Sequence, residues 1–203
     1  MKQALTIGCG SGNSNIIVDT LVEQGYAVTN LGTSVHPKAT NIQIQWNELQ
    51  INNLHKLCKI NGVLDFVFFN QNGSSLNNNN FDFSSLDTLG AWKLVKDWQQ
   101  SHWISCQMPF LLLHILKQNL TSKTKIGWML SSTMKWDNSN AIAYPDYSSQ
   151  KYFNYLAMCC TGDHHQTFGI IPDFSKDDSH NKLKNIIKQV CTQDINNKLF
   201  NFE

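Results

Sequence analysis

Arginine is missing altogether: the 16 basic residues in this 203-residue chain are all lysine. Any anion site must therefore use backbone N–H groups, hydroxyls or lysine, because the bidentate guanidinium fork is not available. Charge of either sign is scarce. Charged residues make up 15% of the chain, and 16 basic against 15 acidic side chains leave a formal net charge of +1. That balance lacks the basic footprint of a nucleic-acid binder, so no nucleic acid is expected as a partner. Long hydrophobic runs are missing too. Phe110-Leu111-Leu112-Leu113 is among the longest, far short of a bilayer span, so no membrane partner is expected. The first residues show neither the apolar stretch nor the small-residue cleavage site of a secretory signal. Cysteines at 9, 58, 106, 159, 160 and 191 form no C-x-x-C pair and no zinc spacing with histidine, so no metal is expected. They read as reduced, mostly buried thiols of a cytoplasmic protein.

What is present suits a folded core. Hydrophobic residues reach 41% and aromatics 11%, which excludes a wholly disordered chain. Apolar residues recur with strand and helix periods in turn. Strands are predicted over 4–7, 26–31, 42–46, 63–69, 125–130, 167–171 and 198–202. Helices are predicted over 16–24, 48–60, 88–118 (broken near Pro109), 147–160 and 178–190. Residues 74–85, with asparagine at 77–80, read as a polar surface loop. Alternation of this kind implies parallel βαβ units, hence an α/β/α sandwich of about seven strands in one domain over 1–203. In such sheets ligands bind beyond the carboxyl ends of the strands, which points to the loops 8–14, 70–73 and 131–147.

Four groups of residues in those loops can carry chemistry. Gly8-Cys9-Gly10-Ser11-Gly12-Asn13-Ser14 joins the first strand to the first helix. Glycines there admit a pyrophosphate close to the backbone, and the helix N-terminus offers N–H donors. The second strand ends at Asn30-Leu31-Gly32-Thr33-Ser34, with no acid to hold a ribose diol. Thr33 and Ser34, with His36 or Lys38 nearby, suit a 2′-phosphate, so NADP(H) is preferred and NAD(H) is possible. Tyr147 and Lys151 stand four apart, on one helical face. An ammonium there is expected to lower the phenol's pKa, making Tyr147 a general acid for carbonyl reduction. Ser131-Ser132-Thr133 ends a strand, where a hydroxyl can orient a carbonyl.

Taken in order, these motifs resemble the short-chain dehydrogenase/reductase family across nearly the whole chain. Gly8-x-x-x-Gly12-x-Ser14 resembles its glycine turn, and Asn70-Gln71-Asn72-Gly73 its Asn-Asn-Ala-Gly strand end. Ser131-Ser132, Tyr147-x-x-x-Lys151 and Gly169-Ile170-Ile171-Pro172 resemble its later motifs. The resemblance implies a Rossmann-like doubly wound parallel sheet and hydride transfer between a nicotinamide cofactor and a small ketone, aldehyde or pterin-like substrate. It implies Tyr147 as proton donor, Lys151 on the nicotinamide ribose and Ser132 on the carbonyl, with Ser131 a less favoured alternative. Gly8, Gly12, Asn13 and Ser14 would line the pyrophosphate, and Asn70, Gln71, Asn72 and Pro172 the rest of the cofactor. It further implies a homodimer or homotetramer through the long helices, with Leu111, Leu112, Leu113, Phe153 and Leu156 as interface candidates.

The sequence also departs from the family. Ser14 stands for the third glycine, Ile7 for a common threonine, Gln45 for an aspartate and Ser105 for the active-site asparagine. The segment between Ser132 and Tyr147 is longer than in the family, and the one after Pro172 is short, which trims the usual substrate lid. These departures define an alternative: a dinucleotide-binding sensor or regulatory protein with little turnover. A structural partner that binds no nucleotide is the third reading. Trp92, Trp98 and Trp103 are expected in a core or subunit interface. Trp136 and Tyr144 are candidates for lining a flat substrate pocket, and His164-His165 reads as a solvated loop.

Overall fold

In a computed structural model, which describes residues 1–44, 60–71, 88–134 and 145–202, the apolar runs become seven strands. They are β1 (Lys2–Ile7), β2 (Tyr26–Gly32), β3 (Thr40–Gln43), β4 (Phe66–Phe69), β5 (Lys125–Met129), β6 (Gln166–Ile171) and β7 (Lys198–Asn201). Every pairing is parallel, in the order β3-β2-β1-β4-β5-β6-β7. This is the predicted doubly wound sheet. The order reverses between β1 and β4, so the crevice opens where Ile7 and Phe69 end their strands.

The helices are α1 (Asn15–Glu23), α2 (Thr88–His102), α3 (Met108–Ile115), α4 (Pro145–Thr161) and α5 (Ser179–Thr192). Side chains alternate across a strand, and β4 shows the result. Phe66 and Phe68 join Ile17 and Leu21 of α1 and Leu183 and Ile187 of α5 in one core layer. Val67 and Phe69 join Met108, Leu112 and Met158 in the layer on the other face. All four β4 residues are buried, as a parallel strand covered on both sides must be.

The break expected near Pro109 takes a particular form. Residues Trp103–Gln107 make a π-helical segment between α2 and α3, and the Met108 N–H reaches back to the Trp103 carbonyl. Proline has no N–H to give, and the wider turn just before it resets the register. That segment buries Ile104, Ser105 and Cys106.

Strand β3 spans 40–43 where 42–46 was predicted, and β4 covers only the last four residues of the expected 63–69. Just before β4, Gly62 takes a positive φ of 95°, and Leu64 donates its N–H to the Asn119 carbonyl at 2.8 Å, outside the sheet. The helix expected over 48–60, the polar loop 74–85, Gln45, Cys58, Asn72, Gly73, Trp136 and Tyr144 lie outside the described residues. Leu112 is completely buried in its own core, so it is not an interface residue. Trp92 and Trp98 are instead exposed at 61% and 48%, too open for core positions. No helix among the described residues is long and apolar enough to cross a membrane.

Candidate functional site

The glycine turn is shaped by contacts its neighbours impose. Gly8 donates its N–H to Leu31 O at 2.8 Å, and Asn70 Nδ2 donates to Gly8 O at 2.9 Å. The turn is thereby tied to β2 on one side and to the end of β4 on the other. Gly8 has φ +74°, and a Cβ there would press on the Gln71 backbone at 3.0 Å. A Cβ on Gly10 would meet the Ser34 carbonyl oxygen at 2.1 Å, so only glycine lets the β2–β3 loop lie this close. Gly12, at φ +65°, has open space where its Cβ would stand. Ser14, in the place of a third glycine, folds inward and donates its hydroxyl to Ser11 O at 2.8 Å.

The β2–β3 loop is held by an asparagine that sequence reasoning did not single out. Asn30 is fully buried. It accepts from Thr6 Oγ1 at 3.2 Å and donates to Ser34 O at 3.0 Å. Asn41 extends the lock by accepting from the His36 N–H at 2.8 Å. A buried amide on a strand is a signal the sequence carries, since such groups are placed only where they are satisfied. Thr33 stays exposed and Ser34 half-buried. The two basic candidates beside them are otherwise engaged. Lys38 Nζ meets Asp19 Oδ1 at 2.6 Å, and buried His36 lies 3.8 Å from the same carboxylate.

On the other side of the crevice, α4 brings Tyr147 and Lys151 to the end of β5. Lys151 is 2% exposed and donates from Nζ to Met129 O at 2.8 Å. Its nitrogen sits 5.3 Å from the Tyr147 ring centroid. Burial lowers the Lys151 ammonium to about 8, and the nearby Cys106 acts in the opposite direction. Cys106, completely buried in the π-helical segment, is itself pushed up to about 12 by burial, with Lys151 pulling it down.

One expectation, that the ammonium lowers the phenol's pKa, is corrected here. The hydroxyl that meets the Tyr147 phenol belongs to Ser131, while Ser132 lies exposed at the start of a 3-10 turn. The strand has ended at Met129, so the chain turns earlier than the motif spacing suggested. The phenol, moreover, is raised by burial, and Ser131 rather than Lys151 opposes the rise. The ammonium is spent on a carbonyl of β5 and stands over the ring.

The groove fits a nicotinamide dinucleotide on its own geometry. Gly12 leaves room for a phosphate to approach the backbone. Gln71, 5% exposed, has Oε1 buried with no hydrogen-bond partner among the described residues, an acceptor of the kind a ribose hydroxyl would satisfy. Pro172 follows β6 directly, half-buried at the end of that strand. No group of three or more His, Cys, Asp or Glu side chains among the described residues is placed to hold a metal ion.

No family model matches the sequence, and no curated protein matches it. Solved structures do match, end to end. A short-chain dehydrogenase family protein from Francisella tularensis superposes with TM-score 0.73 at 12% identity, covering 100% of this chain and 97% of that one. A Burkholderia multivorans protein described as a short-chain dehydrogenase/reductase, with bound NADP, gives 0.76 at 10% identity, covering 100% and 96%. A carbonyl reductase from Pseudomonas aeruginosa gives 0.71 at 12%, covering 99% and 95%. The chain therefore has the fold of the short-chain dehydrogenases/reductases.

Proposed function

We propose that this chain is a nicotinamide-dependent oxidoreductase of the short-chain dehydrogenase/reductase type, acting on a small carbonyl compound. The observation that carries the reading is the Ser131–Tyr147–Lys151 group at the end of β5, facing a glycine turn across the strand-order reversal. When bound, the dinucleotide supplies or accepts the hydride. The chain's part is to orient and to move a proton. Ser131, in the role expected of Ser132, holds the phenol and the substrate oxygen in line. Tyr147 delivers a proton from its hydroxyl to that oxygen as the carbonyl is reduced. Lys151, anchored on Met129 O, keeps two further N–H donors for the nicotinamide ribose. Gly8, Gly12, Asn13, Ser14, Asn70, Gln71, Asn72 and Pro172 hold the dinucleotide.

Preference for NADP(H) over NAD(H) rests on Thr33 and Ser34 hydroxyls and on the missing acid at the end of β2, since Lys38 and His36 are turned to Asp19. The domain is a single dinucleotide-binding unit over 1–203. Reduced, buried thiols such as Cys9 and Cys106 suit the cytoplasm. Trp92, Trp98, Phe110 and Leu156 expose an apolar face on α2, α3 and α4, which supports a homodimer or homotetramer. Light scattering on the wild type and on Trp92→Glu tests it, and a monomeric wild type refutes it.

The deciding experiment titrates the chain with NADPH and NADH, then screens carbonyl substrates with Tyr147→Phe as control. Tyr147→Phe is expected to keep nucleotide affinity and lose about 100-fold or more in turnover. Failure of the wild type to bind either nucleotide ends the reading.

A further inference from the structure

The β6–α5 connection is only seven residues long, 172–178, and it is tied to itself. Asp173 accepts from the Ser175 N–H and hydroxyl, and Ser179 donates its hydroxyl to Asp173 O and Lys176 O. The first turn of α5 is therefore set rigidly against the end of β6. Along its length α5 packs on α1 through Leu183 and Ile187 against Ile17 and Leu21, and Lys184 pairs with Glu23 at 3.0 Å.

At the top of that helix pair lies a contact between residues 167 positions apart. His180 Nε2 stands 3.0 Å from Asn13 Oδ1, at the helix-side end of the glycine turn. An amide oxygen only accepts, so this nitrogen carries the hydrogen. The ring is pinned from another side by Phe174, whose centroid is 6.4 Å away, edge to face. Phe174 in turn packs edge-on against buried Phe202, 6.3 Å away. Two lysines near this end of α5 are engaged elsewhere: Lys182 reaches Phe202 O and Lys176 pairs with Asp173.

We propose that His180 is a positioning residue for the dinucleotide: it braces the glycine turn through Asn13, and that brace sets nucleotide affinity. Gly10 packs closely against the Ser34 carbonyl at one end of the turn, and Asn13 is held at the other by His180. The peptide groups of residues 11 and 12 are held between the two points, in the stretch that a diphosphate would meet. Without the imidazole, the outer half of the turn has to be ordered when the nucleotide binds, and binding weakens accordingly. The inference rests on the dinucleotide reading above.

His180 is exposed, so its replacement leaves the core intact. Two measurements on the full chain test the brace. Amide hydrogen exchange of the nucleotide-free protein is followed for wild type, His180→Ala and His180→Gln. His180→Ala is expected to speed exchange over residues 10–14 about fivefold and leave α1 and α5 unchanged. His180→Gln, which keeps an N–H donor at similar reach, restores protection. NADPH affinity is expected to fall about fivefold in His180→Ala, the size of one neutral hydrogen bond, with kcat unchanged. Unchanged exchange at 10–14 overturns the proposal, and so does altered exchange with unaltered NADPH affinity. A wild type that binds no dinucleotide defeats the functional reading instead, and the exchange comparison, which needs no nucleotide, tells the two failures apart.

Discussion

Lys151 directs its ammonium into the carbonyl of Met129, 22 residues earlier, at 2.8 Å. Helix α4 is thus joined to the last residue of β5 through a buried charge. The bond fixes where Tyr147, one turn before Lys151, meets the end of β5.

That arrangement has a stability consequence. The folded-state value of about 8 lies below the ordinary lysine value of 10.5. Between those values the unfolded chain binds more protons, so this group makes stability rise with pH across about pH 8 to 10.5. Below pH 8 the buried ammonium costs stability in full. Lys151→Met should raise the melting temperature at pH 7, by roughly 1–3 kcal/mol of stability, while abolishing most turnover. Thermal scans at pH 7 and pH 10 check it; a lower melting temperature for the variant at pH 7 refutes the account.

Turnover should follow the same proton. If the charged form of Lys151 orients the nicotinamide ribose, reduction rates fall as pH rises through about 8. A pH profile of kcat that stays flat from 7 to 9.5 would count against it.

Ser131 and Ser132 make a sharp pair for comparison. Ser131→Ala removes the hydroxyl bonded to the phenol and should lower kcat about 10- to 100-fold, as loss of a hydrogen bond to a charged reacting group does. Ser132→Ala should cost much less. Steady-state kinetics on the two variants decide between them, and the reverse order restores the assignment expected from sequence.

Gly10→Ala places a methyl 2.1 Å from the Ser34 carbonyl oxygen. Both groups are backbone-borne, so the β2–β3 loop must move. The expected loss is about 1–3 kcal/mol, with weaker binding at the adenosine end. Chemical denaturation and a nucleotide titration measure the two parts separately.

Far from the crevice, Lys125 on β5 reaches the carbonyls of Val190 and Gln193 at the C-terminus of α5, a cation on the negative end of a helix. Lys125→Met should cost about 1 kcal/mol and fray the last turn of α5. Exchange at residues 188–193 reads that fraying directly, and wild-type protection in the variant would dismiss the cap.

Much of this architecture was legible beforehand because it depends on local pattern. A nearly continuous apolar run marked β4, since a strand covered on both faces has no polar side. Glycine between a short strand and a helical period marked the turn from β1 to α1. Tyr147 and Lys151 were paired by helical spacing alone. The π-helical segment before Pro109 was visible only as a break, because wider winding leaves no composition signature.

What the sequence by itself determined is the alternation of strand and helix and the parallel sheet, for these follow from period and residue type. Tertiary structure alone decided which serine meets the phenol, that Lys151 spends a donor on Met129, that Lys38 and His36 turn to Asp19, and that His180 reaches Asn13. Each of those pairings joins residues from different elements, and its direction is set by where helices land on the sheet, a distance that no local spacing encodes.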